Sequence, residues 1–105
     1  MLFRSPMVNP APLIDNDPWI AHVSQWVNDA GILNEDVEAH VRSAFSRVPR
    51  SRFVDPEYQQ RCLEDCEIPL SHGQWLTRPS ILIRMMGLIH LQKRMRILEL
   101  GFGSG

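Results

Sequence analysis

Glu99, Gly101, Gly103 and Gly105 stand at every second position of the run R-I-L-E-L-G-F-G-S-G at 96–105, and their types and spacing suit ligand binding. Glycine tolerates positive φ and has no Cβ, so three in alternation let the backbone turn tightly and let a ligand approach the main chain. A dinucleotide site asks for G-x-G-x-x-G, because a pyrophosphate must sit on the amides of a helix start. Here the spacing is G-x-G-x-G, with a carboxylate two residues before the first glycine. That carboxylate suits a ligand carrying an ammonium group, and S-adenosylmethionine is such a ligand. A plain glycine-rich turn is the alternative reading.

A second stretch, C-E-I-P-L-S-H-G-Q-W-L-T-R-P at 66–79, lacks a helical period and gathers Gly, His, Gln, Trp, Thr and Arg between prolines. This predicts an ordered loop that presents side chains. Cys62 and Cys66 lie four apart and could form half a metal site with His72 or His90. No second ligand pair has zinc spacing, so two free thiols and no metal are expected. Arg47, Arg50 and Arg52 cluster beside Phe53, where they could meet an acidic partner or nucleic acid, or pair with Asp55 and Glu57. A formal net charge of -1 gives no general attraction to nucleic acid or to an anionic membrane, and neither is expected as a partner.

The elements that must position these residues follow from caps and periodicity. Residues 1–15 contain three prolines without a period, which predicts a flexible leader. The first residues have no apolar run fit for a signal peptide, and no segment approaches a membrane span, so a cytoplasmic protein is expected. Asp15, Asn16 and Asp17 ahead of Pro18 predict a helix start, Gly31 its end, and Trp19, Ile20, Val23, Trp26, Val27 and Ala30 its apolar face. The tryptophans read as packing surface rather than a binding stripe. Asn34 predicts the cap of a second helix, acidic early and basic late, with Val37, Val41, Ala44, Phe45 and Val48 inward and Pro49 as its stop. A shorter third helix is expected over 55–65, with Tyr58, Cys62 and Leu63 inward. A fourth is expected from Pro79 to about Gln92, with Ile81, Leu82, Met85, Met86, Leu88 and Ile89 as its buried side. Residues 95–100 then read as a buried strand that feeds the glycine turn.

Taken in order, the blocks V-R-S-A-F-S-R-V-P-R-S-R-F-V at 41–54, I-P-L-S-H-G-Q-W-L-T-R-P at 68–79, the helix after Pro79 and the run at 96–105 resemble the protein-L-isoaspartate O-methyltransferase family. The resemblance covers residues from about Val37 to Gly105, in the family's order and near its spacing, and leaves residues 1–33 outside. It implies an α/β, Rossmann-like S-adenosylmethionine-dependent methyltransferase, of which these 105 residues are the mostly α N-terminal part. In such enzymes the carboxylate of an isoaspartyl residue attacks the sulfonium methyl, and the ester then closes to a succinimide, a step in protein repair.

The implied parts are a helical portion over 16–93 with a substrate and cofactor loop at 66–79, then the first strand and glycine turn over 94–105. Glu99, Gly101, Gly103 and Gly105 would hold the cofactor, and His72, Gly73, Gln74, Trp75 and Leu76 would meet an isoaspartyl peptide. Thr77 stands where the family carries a catalytic Ser, and a hydroxyl there can bind a substrate carboxylate. A cap for the helix after Pro79 is an equally weighted reading of Thr77. Trp75 replaces the family's Thr, a large change that reshapes the pocket. A parallel strand buried on both faces needs neighbours, so the 105 residues are not expected to catalyse alone. Two other readings differ in class: a small helical interaction module that offers Trp19, Trp26 and Phe53 to a partner, and a dinucleotide oxidoreductase fragment, which leaves the 68–79 loop unexplained. Oligomeric state is open.

Overall fold

The computed structural model describes residues 17–101, 103 and 104. The expected leader at 1–15, the caps at Asp15 and Asn16, and Gly105 lie outside the described residues. Helix α1 spans Pro18–Ala30, α2 Glu35–Arg47 and α3 Pro79–Ile89, with three 3-10 segments, Arg50–Phe53, Pro56–Leu63 and Ser71–Gly73, between α2 and α3. A two-stranded antiparallel hairpin of β1, Ile68–Pro69, and β2, Trp75–Leu76, precedes α3. No helix among the described residues is long and apolar enough to cross a membrane.

The first two helices begin and end as their caps dictate. The Asp17 carboxylate accepts from the Trp19 amide at 2.9 Å, Pro18 needs no N–H in the first turn, and Gly31 closes α1 at φ 65°. Asn34 accepts from the Val37 amide at 3.1 Å, with Glu35, Asp36 and Glu38 set against the positive end of the α2 dipole. The Arg42 guanidinium bonds Glu38 at 2.7 Å within α2 and reaches Ser24 Oγ at 2.7 Å and Asn28 Oδ1 at 2.8 Å, which laces α2 to α1.

Trp19, Val23, Trp26 and Val27 of α1 meet Val37 and Val41 of α2 and Ile83 of α3 in one core. The Trp19 and Trp26 rings pack edge to face with centroids 5.6 Å apart, and the Trp19 indole N–H donates to the Phe45 carbonyl at 2.7 Å. Both tryptophans are therefore packing surface, buried away from the partner-binding role of the interaction-module reading.

Four expectations need correction. Residues 55–65 form 3-10 turns rather than an α-helix, and of the three inward positions Cys62 is buried, Tyr58 half-buried and Leu63 exposed. The 66–79 loop contains the hairpin, closed by the Leu70 amide donating to the Gln74 carbonyl at 2.8 Å. Helix α3 stops at Ile89, where His90 adopts φ 55°, and it presents a different face from the expected one. Ile83 is fully buried and Met86 packs against the core, whereas Ile81, Met85, Leu88 and Ile89 are exposed. The physical reason is Gly87, one turn beyond Ile83. A Cβ built there would lie 2.8 Å from Ile32 Cγ1, so the bare backbone lets this side of α3 close on the α1–α2 link.

The fourth correction concerns residues 95–100, which pair with no other segment among the described residues and form no strand. A strand needs a neighbouring backbone to take up its N–H and C=O groups, and no described residue pairs with this segment in that way. Met95, Ile97, Leu98 and Leu100 are exposed.

Both cysteines are free thiols. Cys62 is buried and its thiol lies 3.6 Å from the Tyr58 carbonyl. Burial pushes this thiol's pKa up, Arg50 opposes the shift and Cys66 reinforces it. The folded chain thus holds the proton more tightly than the unfolded chain. The resulting stability is fully present below the unfolded value of 9.0 and is lost as pH rises through the folded value. The melting temperature should fall as pH is raised past 9, and fall less in Cys62→Ala than in the parent. Equal falls in thermal melts of the two proteins would refute the assignment.

Candidate functional site

The hairpin gives shape to the 66–79 segment, which lies like a lid on the neighbouring cavity. Ile68 is fully buried and anchors β1, and the register Ile68↔Leu76, Pro69↔Trp75 fixes β2 against it. Between the strands His72 and Gly73 both take left-handed conformations, φ 63° and 71°, which reverse the chain within a few residues. The turn points outward, so His72, Gly73 and Gln74 are exposed, and Trp75 and Leu76 follow on the returning strand.

Arg50 holds the lid from below. It is only 7% exposed, and its guanidinium donates to the carbonyls of Glu64 at 3.1 Å, Cys66, and Thr77 at 3.4 Å. Burial pulls its pKa below the ordinary guanidinium value, with Cys66, Cys62 and Asp65 opposing. This corrects the basic-cluster reading: Arg50 is neither solvated nor paired with Asp55 or Glu57, but is spent on backbone carbonyls.

Thr77 is not the cap of α3. Arg78 occupies that position without a side-chain cap bond, and the Ser80 amide donates instead to the Asp65 carboxylate at 3.0 Å. The helix start is thus served by Asp65, and the capping reading of Thr77 falls away.

Lid and glycine turn meet. A cavity of about 340 Å³ is lined by Trp75, Leu76 and Thr77 from one side and by Glu99, Gly101 and Gly103 from the other. Trp19, Phe45, Phe53 and Met86 form its apolar walls, and Arg50 also borders it. Gly101 and Gly103 have φ 72° and 62°, and a Cβ on Gly103 would stand 3.0 Å from Leu70 Cδ1 in the lid. The turn therefore has the positive φ that its glycines predicted, and six of the ten expected site residues line one space. His72, Gly73 and Gln74 do not line it. The sequence reading missed the aromatic walls, because Trp19 and Phe45 carry helical spacing that reads as core, and it missed Arg50.

A larger hollow of about 620 Å³ lies between α1 and α2, bordered by Ser24, Glu38 and Arg42, and contains none of the expected site residues. No three His, Cys, Asp or Glu side chains among the described residues converge as a metal site.

The family model described as Protein-L-isoaspartate(D-aspartate) O-methyltransferase (PCMT) matches residues 22–105. A protein-L-isoaspartate O-methyltransferase of Leptothrix cholodnii is 35% identical over 96 residues, covering 88% of this chain and 32% of the relative. One of Aeropyrum pernix is 42% identical over 65 residues, covering 62% of this chain and 25% of the relative. One of Cronobacter sakazakii is 38% identical over 68 residues, covering 65% and 33%. The chain spans between 25% and 33% of the length of the curated relatives it matches. No solved structure matches it significantly.

Proposed function

The chain belongs to the protein-L-isoaspartate(D-aspartate) O-methyltransferase family, and from that premise we propose that it supplies the lid and cofactor turn of a cytoplasmic, Rossmann-like methyltransferase that esterifies L-isoaspartyl residues for protein repair. The observation that carries this reading is the shared cavity: Thr77 and Trp75 face Glu99, Gly101 and Gly103 across one apolar-walled space.

These residues fit S-adenosylmethionine. Glu99 offers a carboxylate to an ammonium group, the aromatic walls suit an adenosyl moiety, and the Cβ-free positions Gly101 and Gly103 leave the backbone approachable. The cofactor supplies an electrophilic methyl group. The substrate carboxylate is ionised at neutral pH and needs no general base, so the work of the chain is to orient it and exclude water. Thr77 donates a hydrogen bond to that carboxylate, while Trp75 and Leu76 close over it. His72, Gly73 and Gln74, on the exposed turn, meet the flanking peptide. Trp75 takes more room than the family's Thr and narrows the choice of residues beside the isoaspartate.

The test is a calorimetric titration of S-adenosylhomocysteine into the 105-residue chain and into a chain extended to the family's full length. Tight binding is expected only from the extended chain, and its absence there sinks the reading. Gly103→Val in the extended chain should weaken binding about tenfold, because a β-branched side chain at positive φ costs roughly 1–2 kcal/mol and would meet Leu70.

A further inference from the structure

The Arg50 guanidinium gathers three carbonyls, those of Glu64 and Cys66 from one turn and that of Thr77 from eleven residues further on. Cys66 precedes β1 and Thr77 follows β2, so one planar group ties both ends of the hairpin. Its own base is braced: the 3-10 turn Arg50–Phe53 closes through the Arg52 amide to the Pro49 carbonyl at 3.2 Å. The Gln59 amide group, from the next turn, donates to the Ser51 carbonyl at 2.8 Å.

A lone surface cation would be satisfied by water. A guanidinium of a residue only 7% exposed, spent on backbone carbonyls, instead fixes geometry, because its N–H groups leave a rigid plane at set angles and lysine has no such fork. The bond to the Thr77 carbonyl restrains the backbone of a residue that lines the cavity.

We propose that Arg50 is the positioning residue of this site: by clamping the two ends of the lid it sets where the Thr77 hydroxyl stands relative to Glu99 and the glycine turn. The inference rests on the role of Thr77 given above and adds to it the group that holds Thr77 in place. Arg50 borders the cavity, but its guanidinium is committed to backbone carbonyls, and in this scheme it acts through Thr77.

The experiment uses the chain extended to the family's full length, with an isoaspartyl peptide. Arg50→Lys keeps the charge and loses the fork. Arg50→Gln removes the buried charge, keeps two N–H donors and so guards against a variant that fails to fold. Both should lower kcat about 10- to 100-fold, with S-adenosylhomocysteine affinity little changed. Combined with Thr77→Val, neither should lower kcat below that of Thr77→Val alone, because the clamp acts through a hydroxyl that is already gone. Amide exchange across residues 66–77 should quicken in both, with α1 and α2 as protected as in the parent. Multiplicative losses in the double variants, or unchanged kcat in the single ones, overturn the proposal. If Thr77→Val keeps full turnover, the reading of Thr77 fails by itself. Exchange then decides the clamp: faster exchange over 66–77 supports it, and unchanged exchange overturns it.

Discussion

Thr77→Val, made in a chain extended to the family's full length, is expected to lower kcat/KM for an isoaspartyl peptide about 10²-fold, the usual cost of removing one well-placed donor from a site that excludes water. Valine matches threonine in shape, so the lid and its contact with Arg50 through the Thr77 carbonyl should persist. Affinity for S-adenosylhomocysteine should hold, since the hydroxyl is assigned to the substrate and not to the cofactor. Thr77→Ser should keep most of the activity. The prediction has a structural basis beyond family likeness: Asp65, and not Thr77, takes up the amide at the start of α3, which leaves the hydroxyl unclaimed by the helix. Full turnover in Thr77→Val would remove Thr77 from the reaction.

Trp19→Ala should destabilise the chain by about 3–5 kcal/mol, the range for emptying a buried aromatic site. Trp19 is 5% exposed, meets Trp26 edge to face and spends its N–H on the Phe45 carbonyl, so truncation removes packing and leaves that carbonyl only the longer bond from the Val48 amide, at 3.4 Å. A domain of this size has about 5–15 kcal/mol in all, and the loss would take much of it. Trp19→Phe separates the two contributions, because it keeps a ring in the core and should cost mainly the hydrogen bond, about 1 kcal/mol. Urea unfolding followed by circular dichroism reads both, and a midpoint for Trp19→Ala close to the parent's would contradict the packing account. Because Trp19 also walls the cavity, the same substitution should open the ligand space from beneath.

The helical part was legible where local chemistry decides. Asp17, Pro18 and Gly31 bound α1, and Asn34 opens α2, because capping depends on residues a few positions apart. Helix α3 shows the limit of this reading. Its sequence is apolar nearly all round, so a count of apolar positions cannot choose a face, and Ile83 was passed over in favour of Ile81, Met85, Leu88 and Ile89. The overlooked signal was Gly87, whose presence inside an apolar helix marks a close approach.

The site divided in the same way. The glycine spacing at 101 and 103 foretold positive φ, and the odd composition of 66–79 foretold a presenting segment, since both depend on residue type alone. That Trp75 and Thr77 face the cavity while His72, Gly73 and Gln74 stay outside depends on the hairpin register, which neighbours in sequence do not disclose.

By itself, then, the sequence determined the ends of the first two helices, the left-handed glycines and the family, all of them consequences of short-range chemistry or of ordered blocks. Only the tertiary structure decided which face of α3 turns inward, that Arg50 is a buried clamp rather than part of a basic patch, and that lid and turn share one cavity. The reason is common to all three: each depends on groups many residues apart being brought within a few ångströms, and that distance is set by packing, which no local pattern carries.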